Sequence, residues 1–162
     1  MKKILFLLVI ATSFSCSQSS SKQAMVVTDS LPASKETKKE AYKPGLGEFM
    51  SAVQMHHAKL WFAGINNNWK LAEYESGEMK EMLTVAEEFE TDRPEVKDIH
   101  TVYPALDSVV LSVNQKNLPL FKTCFEKMTE SCNSCHRSHH FEFNVITIPT
   151  APPVTNQDFK IH

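Results

Sequence analysis

The chain is poor in the features that mark fibrous, repetitive or nucleic-acid-binding proteins. Only four glycines and eight prolines occur among 162 residues, too few for a collagen-like or low-complexity protein. The formal net charge of -2 leaves no basic footprint for nucleic acid. The apolar run at residues 4–11 is too short to span a bilayer. With 42% hydrophobic and 22% charged residues, the chain suits one globular domain with a real core.

The first residues have the pattern of an export signal. Lys2 and Lys3 precede the apolar run, and mostly small residues then lead to Cys16. We therefore predict a signal peptide over residues 1–15. Cys16 resembles the lipid-modified cysteine of bacterial lipoproteins, which predicts a lipid anchor; an ordinary cleavage site beside an incidental cysteine is the alternative. The expected location is the periplasmic side of a bacterial membrane.

Composition divides the rest of the chain into three parts. Residues 16–44 contain the candidate anchor cysteine and are rich in Ser, Lys, Thr and Glu, which predicts a flexible linker. Residues 45–141 contain the helical periodicity and are the predicted domain. Residues 142–162 include several prolines and predict an extended C-terminal tail.

Apolar residues recur at three- and four-residue steps in four stretches of the predicted domain, and no alternating strand pattern competes with them. The predicted helices are about Gly47–Asn66, Trp69–Glu90, Ile99–Gln115 and Leu118–His140. Asn residues before the second and fourth helices offer N-caps, and Pro104 suits a first turn. Tyr74 and Phe89 are assigned to the apolar side of the second helix. The short connections predict an all-α fold, an antiparallel four-helix bundle.

The fourth predicted helix ends in the motif Cys132-Asn133-Ser134-Cys135-His136. This C-x-x-C-H spacing is typical of c-type haem attachment. On a helix, residues three apart share a face, so both sulfurs can meet the two vinyl groups on one porphyrin edge. The next residue can then place its imidazole under the iron. We predict one covalent haem c on Cys132 and Cys135, with His136 as the proximal iron ligand.

Three other uses of these cysteines fit the sequence less well. A thioredoxin-like redox pair needs a βαβ context, which the pattern does not predict. A zinc site would have to recruit Cys124, His139 or His140, at no recognised zinc spacing. A disulfide between Cys132 and Cys135 would be strained within a helix.

A four-helix bundle with C-x-x-C-H near the end of its last helix resembles the class II c-type cytochromes, cytochrome c′ and cytochrome c556. The resemblance covers about residues 45–140 and depends on architecture and on Cys132, Cys135 and His136. In that family the first helix crosses the other haem face. It supplies a methionine ligand in the c556 type and a non-ligating apolar residue in cytochrome c′.

The position of Met50 in the first helix makes it the candidate sixth ligand under this resemblance. The alternative is that Met50 is a packing methionine, since methionine often fills gaps in cores. His57 is the second candidate ligand and His56 the third. A hydrogen-bonded histidine is the commoner role on a half-buried helix face. Five-coordinate iron stays open.

The function implied is a monohaem electron carrier that exchanges single electrons with a redox partner protein. The alternative is a module that binds nitric oxide or carbon monoxide at five-coordinate iron. A non-haem structural lipoprotein is the fallback. The sequence places no catalytic acid and base pair, so we do not expect an enzyme. Many bundles of the resembling family pair, which makes a homodimer a candidate assembly.

Overall fold

Four α-helices dominate residues 42–162, the part of the chain that the computed structural model describes. They are α1 (Leu46–Ile65), α2 (Trp69–Phe89), α3 (Tyr103–Asn114) and α4 (Leu118–Ser138), with a 3₁₀ helix at Pro94–Val102. No strand occurs in this range. The prediction of an all-α helical bundle is therefore confirmed. The predicted signal peptide, Cys16 and nearly all of the predicted linker lie outside the described residues.

Left-handed residues end three of the four helices. Asn67, Lys116 and His140 have positive φ values of 58°, 52° and 64°. At the first of these, the Asn68 N–H bonds the carbonyl of Ala63 at 2.9 Å, which satisfies a carbonyl that the helix end leaves free. The chain can therefore reverse within three residues. Two of the next helices start on predicted caps: Asn68 accepts the Leu71 N–H, and Asn117 accepts the Leu120 N–H.

The third predicted helix begins four residues too early. The range from Ile99 to Val102 belongs to the 3₁₀ helix, and α3 starts only at Tyr103. Pro104 explains the difference. An α-helix already running from Ile99 would place the proline ring against the carbonyl of His100, four residues earlier. Starting at Tyr103 puts Pro104 in the first turn, where its missing N–H costs little.

The core lies between all five helical elements. Its most deeply buried apolar side chains come from every α-helix and include Leu60, Met79, Leu106, Phe121 and Phe125. Helix α1 packs chiefly against α2, and α3 chiefly against α4.

The buried face of α2 agrees with the predicted one at Met79, Leu83 and Ala86 but differs from it at two aromatic residues. Tyr74 is 57% exposed and Phe89 46% exposed, whereas Glu75 is 1% exposed. The assignment of Tyr74 and Phe89 to the core side was therefore wrong. Glu75 can be buried because two side chains of α1 face it: His56 donates a hydrogen bond to its carboxyl group, and the Nζ of Lys59 lies 4.0 Å away. Polar contacts between α1 and α2 thus bury a residue that hydropathy alone would place on the exposed side of α2.

After Ser138 the described chain forms turns and irregular backbone up to residue 162. Ile148 packs against the core, and Phe159 is buried against Phe62 with ring centroids 5.7 Å apart. This segment is therefore attached to the bundle at several points along its length.

Candidate functional site: an apolar cavity at the C-terminal end of α4

One cavity collects residues from α1, α2, the 3₁₀ helix, α4 and the segment after α4. Its volume is about 190 Å³. Five of the residues predicted from sequence line it: Met50, His57, Cys132, Cys135 and His136. Apolar side chains complete the walls, among them Val53, Met79, Leu83, Ile99 and Val102. The cavity is smaller than the roughly 300–1,000 Å³ of typical ligand pockets, so a group as large as a porphyrin needs the walls to part.

The two motif cysteines are free thiols in the last turns of α4. Burial, helped by the neighbouring Cys135, raises the pKa of Cys132 to about 12. Burial also raises the pKa of Cys135, as do the negative charges of Asp98 and Glu95. A thioredoxin-like redox cysteine needs the opposite, a thiolate stabilised by positive charge or by a helix N-terminus. These thiols are protonated at neutral pH, which argues against a thioredoxin-like pair.

The imidazole of His136 has a defined tautomer. Its Nδ1 lies 2.6 Å from the carbonyl oxygen of Asn144. A carbonyl can only accept a hydrogen bond, so Nδ1 carries the proton and Nε2 keeps its lone pair. Metal-binding histidines usually donate their second N–H to a carbonyl or carboxylate in this way. Of the two ring nitrogens of His136, Nε2 is therefore the one that this contact leaves available.

Met50 is half-buried on α1 and packs against the core cluster, as does Cys132 on α4. Both line the same cavity although they come from different helices. A thioether from α1 and the cysteine pair of α4 therefore face one space, the arrangement that a sixth ligand at Met50 requires.

His57 also lines the cavity, but a hydrogen bond holds its ring. Its side chain is 3% exposed, and Nε2 lies 2.8 Å from Thr129 Oγ1. The Thr129 hydroxyl donates to the Phe125 carbonyl, so it accepts from His57 Nε2–H. Burial lowers the pKa of His57 to about 4, which keeps the ring neutral. This contact supports the interpretation of His57 as a hydrogen-bonded core histidine, and it leaves only Nδ1 for any ligand role.

The remaining candidates point elsewhere. His56 Nδ1 donates to Glu75 Oε2 at 2.7 Å, between α1 and α2. His139 Nε2 lies 2.8 Å from Asp98 Oδ2, and His140 is exposed. Cys124 is buried in the core. Within residues 42–162, no group of three or more His, Cys, Asp or Glu side chains is gathered as a metal-ion site.

The sequence interpretation missed three residues of the site. Asn133, inside the motif, is 8% exposed and makes hydrogen bonds to the backbone of Ile146. Asn144 and Ile146 line the cavity from the segment after α4. The signal available was weak: the apolar residues of Phe-Asn-Val-Ile-Thr-Ile alternate with polar ones only in part.

The sequence matches no family model, no curated protein and no solved structure. Among the helices of the described residues, none combines the length and the apolar character needed to cross a membrane.

Proposed function

We propose that the protein is a monohaem c-type cytochrome that carries single electrons outside the cytoplasm. The observation that supports it is the convergence of Cys132, Cys135, His136 and Met50 on one apolar cavity. These residues come from opposite ends of the described domain, and each is of the type that haem attachment or iron ligation uses. The leader sequence alone supports export and a lipid on Cys16.

The donor set fits a covalent haem. Each protonated thiol of Cys132 and Cys135 can add across a vinyl double bond, sulfur to one carbon and hydrogen to the other, with no atom lost. His136 Nε2 would be the proximal ligand. Met50 is the first candidate for the sixth ligand, and His57 is the second. The apolar side chains that form most of the walls would lower the local dielectric around the haem. When bound, haem supplies an iron that changes its oxidation state by one electron.

We also propose that the helices run up-down-up-down. The breaks at residues 66–68 and 115–117 are three residues long, and such short connections favour antiparallel neighbours. In this arrangement α1 and α4 are adjacent, which puts Met50 opposite the haem-attachment motif. A redox partner protein and a homodimer remain part of the proposal as assemblies that the resembling family uses.

A gas-binding module is the second candidate, and the wall opposite the motif favours it. Val53 and Leu83 are apolar and buried there, and the Nε2 of His57 already bonds Thr129. If Met50 packs in the core and does not reach the iron, the sixth position would face this apolar surface. The iron would then be open to carbon monoxide or nitric oxide.

Covalent attachment is tested by the mass and colour of protein matured in a haem-attaching host. Wild type is expected to keep one haem per chain under denaturing conditions, because thioether bonds survive unfolding. Cys132→Ala/Cys135→Ala should lose it. Cys124→Ala is the matched control, since this cysteine lies on the same helix outside the motif, and it should keep the haem. Colourless wild-type protein at the mass of the bare chain would remove both candidate functions.

Coordination is tested by the visible spectrum with and without carbon monoxide. The carrier predicts a low-spin reduced spectrum that carbon monoxide leaves unchanged. Met50→Ala should convert it to a high-spin spectrum that responds to carbon monoxide. Met55→Ala, on the same helix but 38% exposed and not at the cavity, should behave as wild type. A wild-type spectrum that already shifts with carbon monoxide would instead support the gas-binding candidate.

A further inference from the structure

The chain turns back over the end of α4 as soon as the haem-attachment motif is complete. His140 adopts a φ of 64°, and the Phe141 N–H bonds the His136 carbonyl at 2.8 Å. The Asn144 N–H then bonds the Phe141 carbonyl at 2.9 Å, which closes a second turn. Residues 141–148, called the strap here, therefore return past the motif.

Asn133 binds the strap through both ends of its carboxamide. Its Nδ2 donates to the Ile146 carbonyl at 2.8 Å, and its Oδ1 accepts the Ile146 N–H at 2.8 Å. The side chain thus pairs with one backbone residue as a neighbouring strand would. A carboxamide is the side-chain group that offers a donor and an acceptor side by side in this way. At 8% exposure, neither bond is replaced by water without cost.

Holding Ile146 also fixes the carbonyl two residues earlier. That carbonyl belongs to Asn144, and it accepts the His136 Nδ1–H at 2.6 Å. Ile148, two residues beyond Ile146, packs on the core and secures the other side of the strap. Asn133 and His136 are three residues apart on α4, so one helix face contacts the strap at both points.

We propose that Asn133 is a positioning residue for the proximal ligand. Through the strap it selects the Nδ1–H tautomer of His136 and fixes the plane of the imidazole that presents Nε2 to the cavity. This inference depends on the proposed function for its biological meaning, since it gives one of the two spacer residues of the motif a specific task. Its geometric content, the tautomer, is independent of haem.

A merely structural role would make Asn133 one more attachment point of the C-terminal segment. Phe159→Ala provides the comparison, because Phe159 is 4% exposed and attaches the far end of that segment to Phe62. Ser134→Ala is the matched control within the motif, since Ser134 is exposed. If stability alone matters, Phe159→Ala and Asn133→Ala should have the same effect on His136.

The first test uses the full chain produced without haem and labelled with ¹⁵N at histidine. The ring nitrogen shifts of His136 above neutral pH should report a majority of Nδ1–H in wild type, Ser134→Ala and Phe159→Ala. Asn133→Ala should shift the majority to Nε2–H and speed the exchange of the Ile146 amide. Asn133→Asp, which keeps the acceptor but loses the donor, should change the tautomer in the same direction. A wild-type tautomer in both Asn133 variants, with helical circular dichroism retained, overturns the proposal.

The second test uses haem-loaded protein and measures the reduction potential. Losing the hydrogen bond to Nδ1 makes the imidazole a weaker donor to oxidised iron, so Asn133→Ala should have a higher potential than wild type. A tenfold loss of preference for the oxidised state corresponds to about 59 mV. Ser134→Ala should match wild type. An unchanged potential in Asn133→Ala overturns the inference, whereas absence of haem from wild type defeats only the proposed function and leaves the tautomer test in force.

Discussion

Replacing Gly64 with alanine is expected to destabilise the protein, although alanine is the better helix former. Gly64 is buried near the end of α1, where this helix approaches α4. A Cβ at this position would lie 2.2 Å from both Cε1 and Cζ of Phe121. The approach matters for the candidate site, because α1 carries Met50 and α4 carries the C-x-x-C-H motif.

The size of the effect follows from what surrounds Phe121. Its ring is fully buried, with centroids 6.1 Å from Trp61, 6.2 Å from Trp69 and 5.7 Å from Phe125. Carbon contacts are optimal at about 3.5–4.0 Å, so the ring or the helix would have to move by about 1.3 Å or more. Overpacking of this kind costs roughly 1–3 kcal/mol. The helix-propensity gain of alanine offsets about 1 kcal/mol of that. Because the enclosed ring cannot easily move aside, we place the overpacking cost in the upper part of that range, about 2–3 kcal/mol, which leaves a net loss of about 1–2 kcal/mol in the free energy of unfolding.

Urea unfolding followed by circular dichroism measures this loss, and the chain offers a matched control. Gly77 is an exposed glycine of α2 whose added Cβ would meet nothing within 4 Å. Gly77→Ala should therefore stabilise the protein by up to about 1 kcal/mol. The same substitution should thus change the free energy of unfolding in opposite directions at the two glycines, because only Gly64 is packed against another side chain.

A double-mutant cycle with Phe121→Leu identifies the contact responsible. The smaller side chain makes room for the new methyl group. The double mutant Gly64→Ala/Phe121→Leu should therefore lose about 1 kcal/mol less stability than the sum of the losses in the two single mutants. The reasoning is refuted if Gly64→Ala is as stable as wild type. Strict additivity in the cycle would likewise show that Phe121 is not the obstacle.

Two further predictions concern the adjacent histidines of α1, His56 and His57. Because the folded-state pKa of His57 is about 4, the unfolded chain binds its proton first; wild type should lose about 3 kcal/mol of stability from this group as pH falls from about 6.5 to 4. In urea unfolding at both pH values, His57→Gln should lack this loss and the exposed-site control His100→Gln should keep it; equal pH slopes in all three proteins would contradict the assignment. His56→Ala should cost about 2 kcal/mol at pH 7, since Glu75, which is 1% exposed, loses the hydrogen bond from its 2.7 Å partner. Lys59→Ala, whose Nζ lies 4.0 Å from Glu75, should cost less, and the reverse order of the two losses would be inconsistent with this geometry.

Helical periodicity and capping residues were sufficient to predict the number and approximate ends of the α-helices. α1, α2 and α4 begin within one residue of their predicted starts and end within two of their predicted ends. These ends depend on interactions local in sequence, such as the cap at Asn117. The predicted start of α3 is wrong for a local reason too, because Pro104 fits the first turn only of a helix that begins at Tyr103. The predicted burial of Tyr74 is wrong for a non-local reason: its neighbour Glu75 is buried where α1 supplies His56 as a partner.

The cysteines and the histidine of the site can be identified from the motif, but the residues that hold them in position cannot. C-x-x-C-H indicates the cysteines and the histidine by spacing alone. The role of Asn133 depends on a backbone amide and carbonyl at Ile146, and every residue except proline has both. No side-chain pattern in the sequence therefore predicts that Asn133 binds Ile146. The two residues meet because the chain reverses at His140.

One face of α4 is apolar in its first half and polar near its end. The candidate site at that end therefore depends on other segments packing against α4. Its first half contributes apolar side chains such as Phe121 and Phe125 to the core. From Thr129 onward the same face carries polar groups that obtain partners from elsewhere: Thr129 from His57, Asn133 from Ile146 and His136 from Asn144. A polar group costs about 1–3 kcal/mol if it is buried unpaired, and Asn133, which is 8% exposed, depends on Ile146 for both of its side-chain hydrogen bonds. The end of α4 therefore gains little by burial until the strap is in place, and the cavity is complete only when α1, α2 and the 3₁₀ helix have joined these two segments.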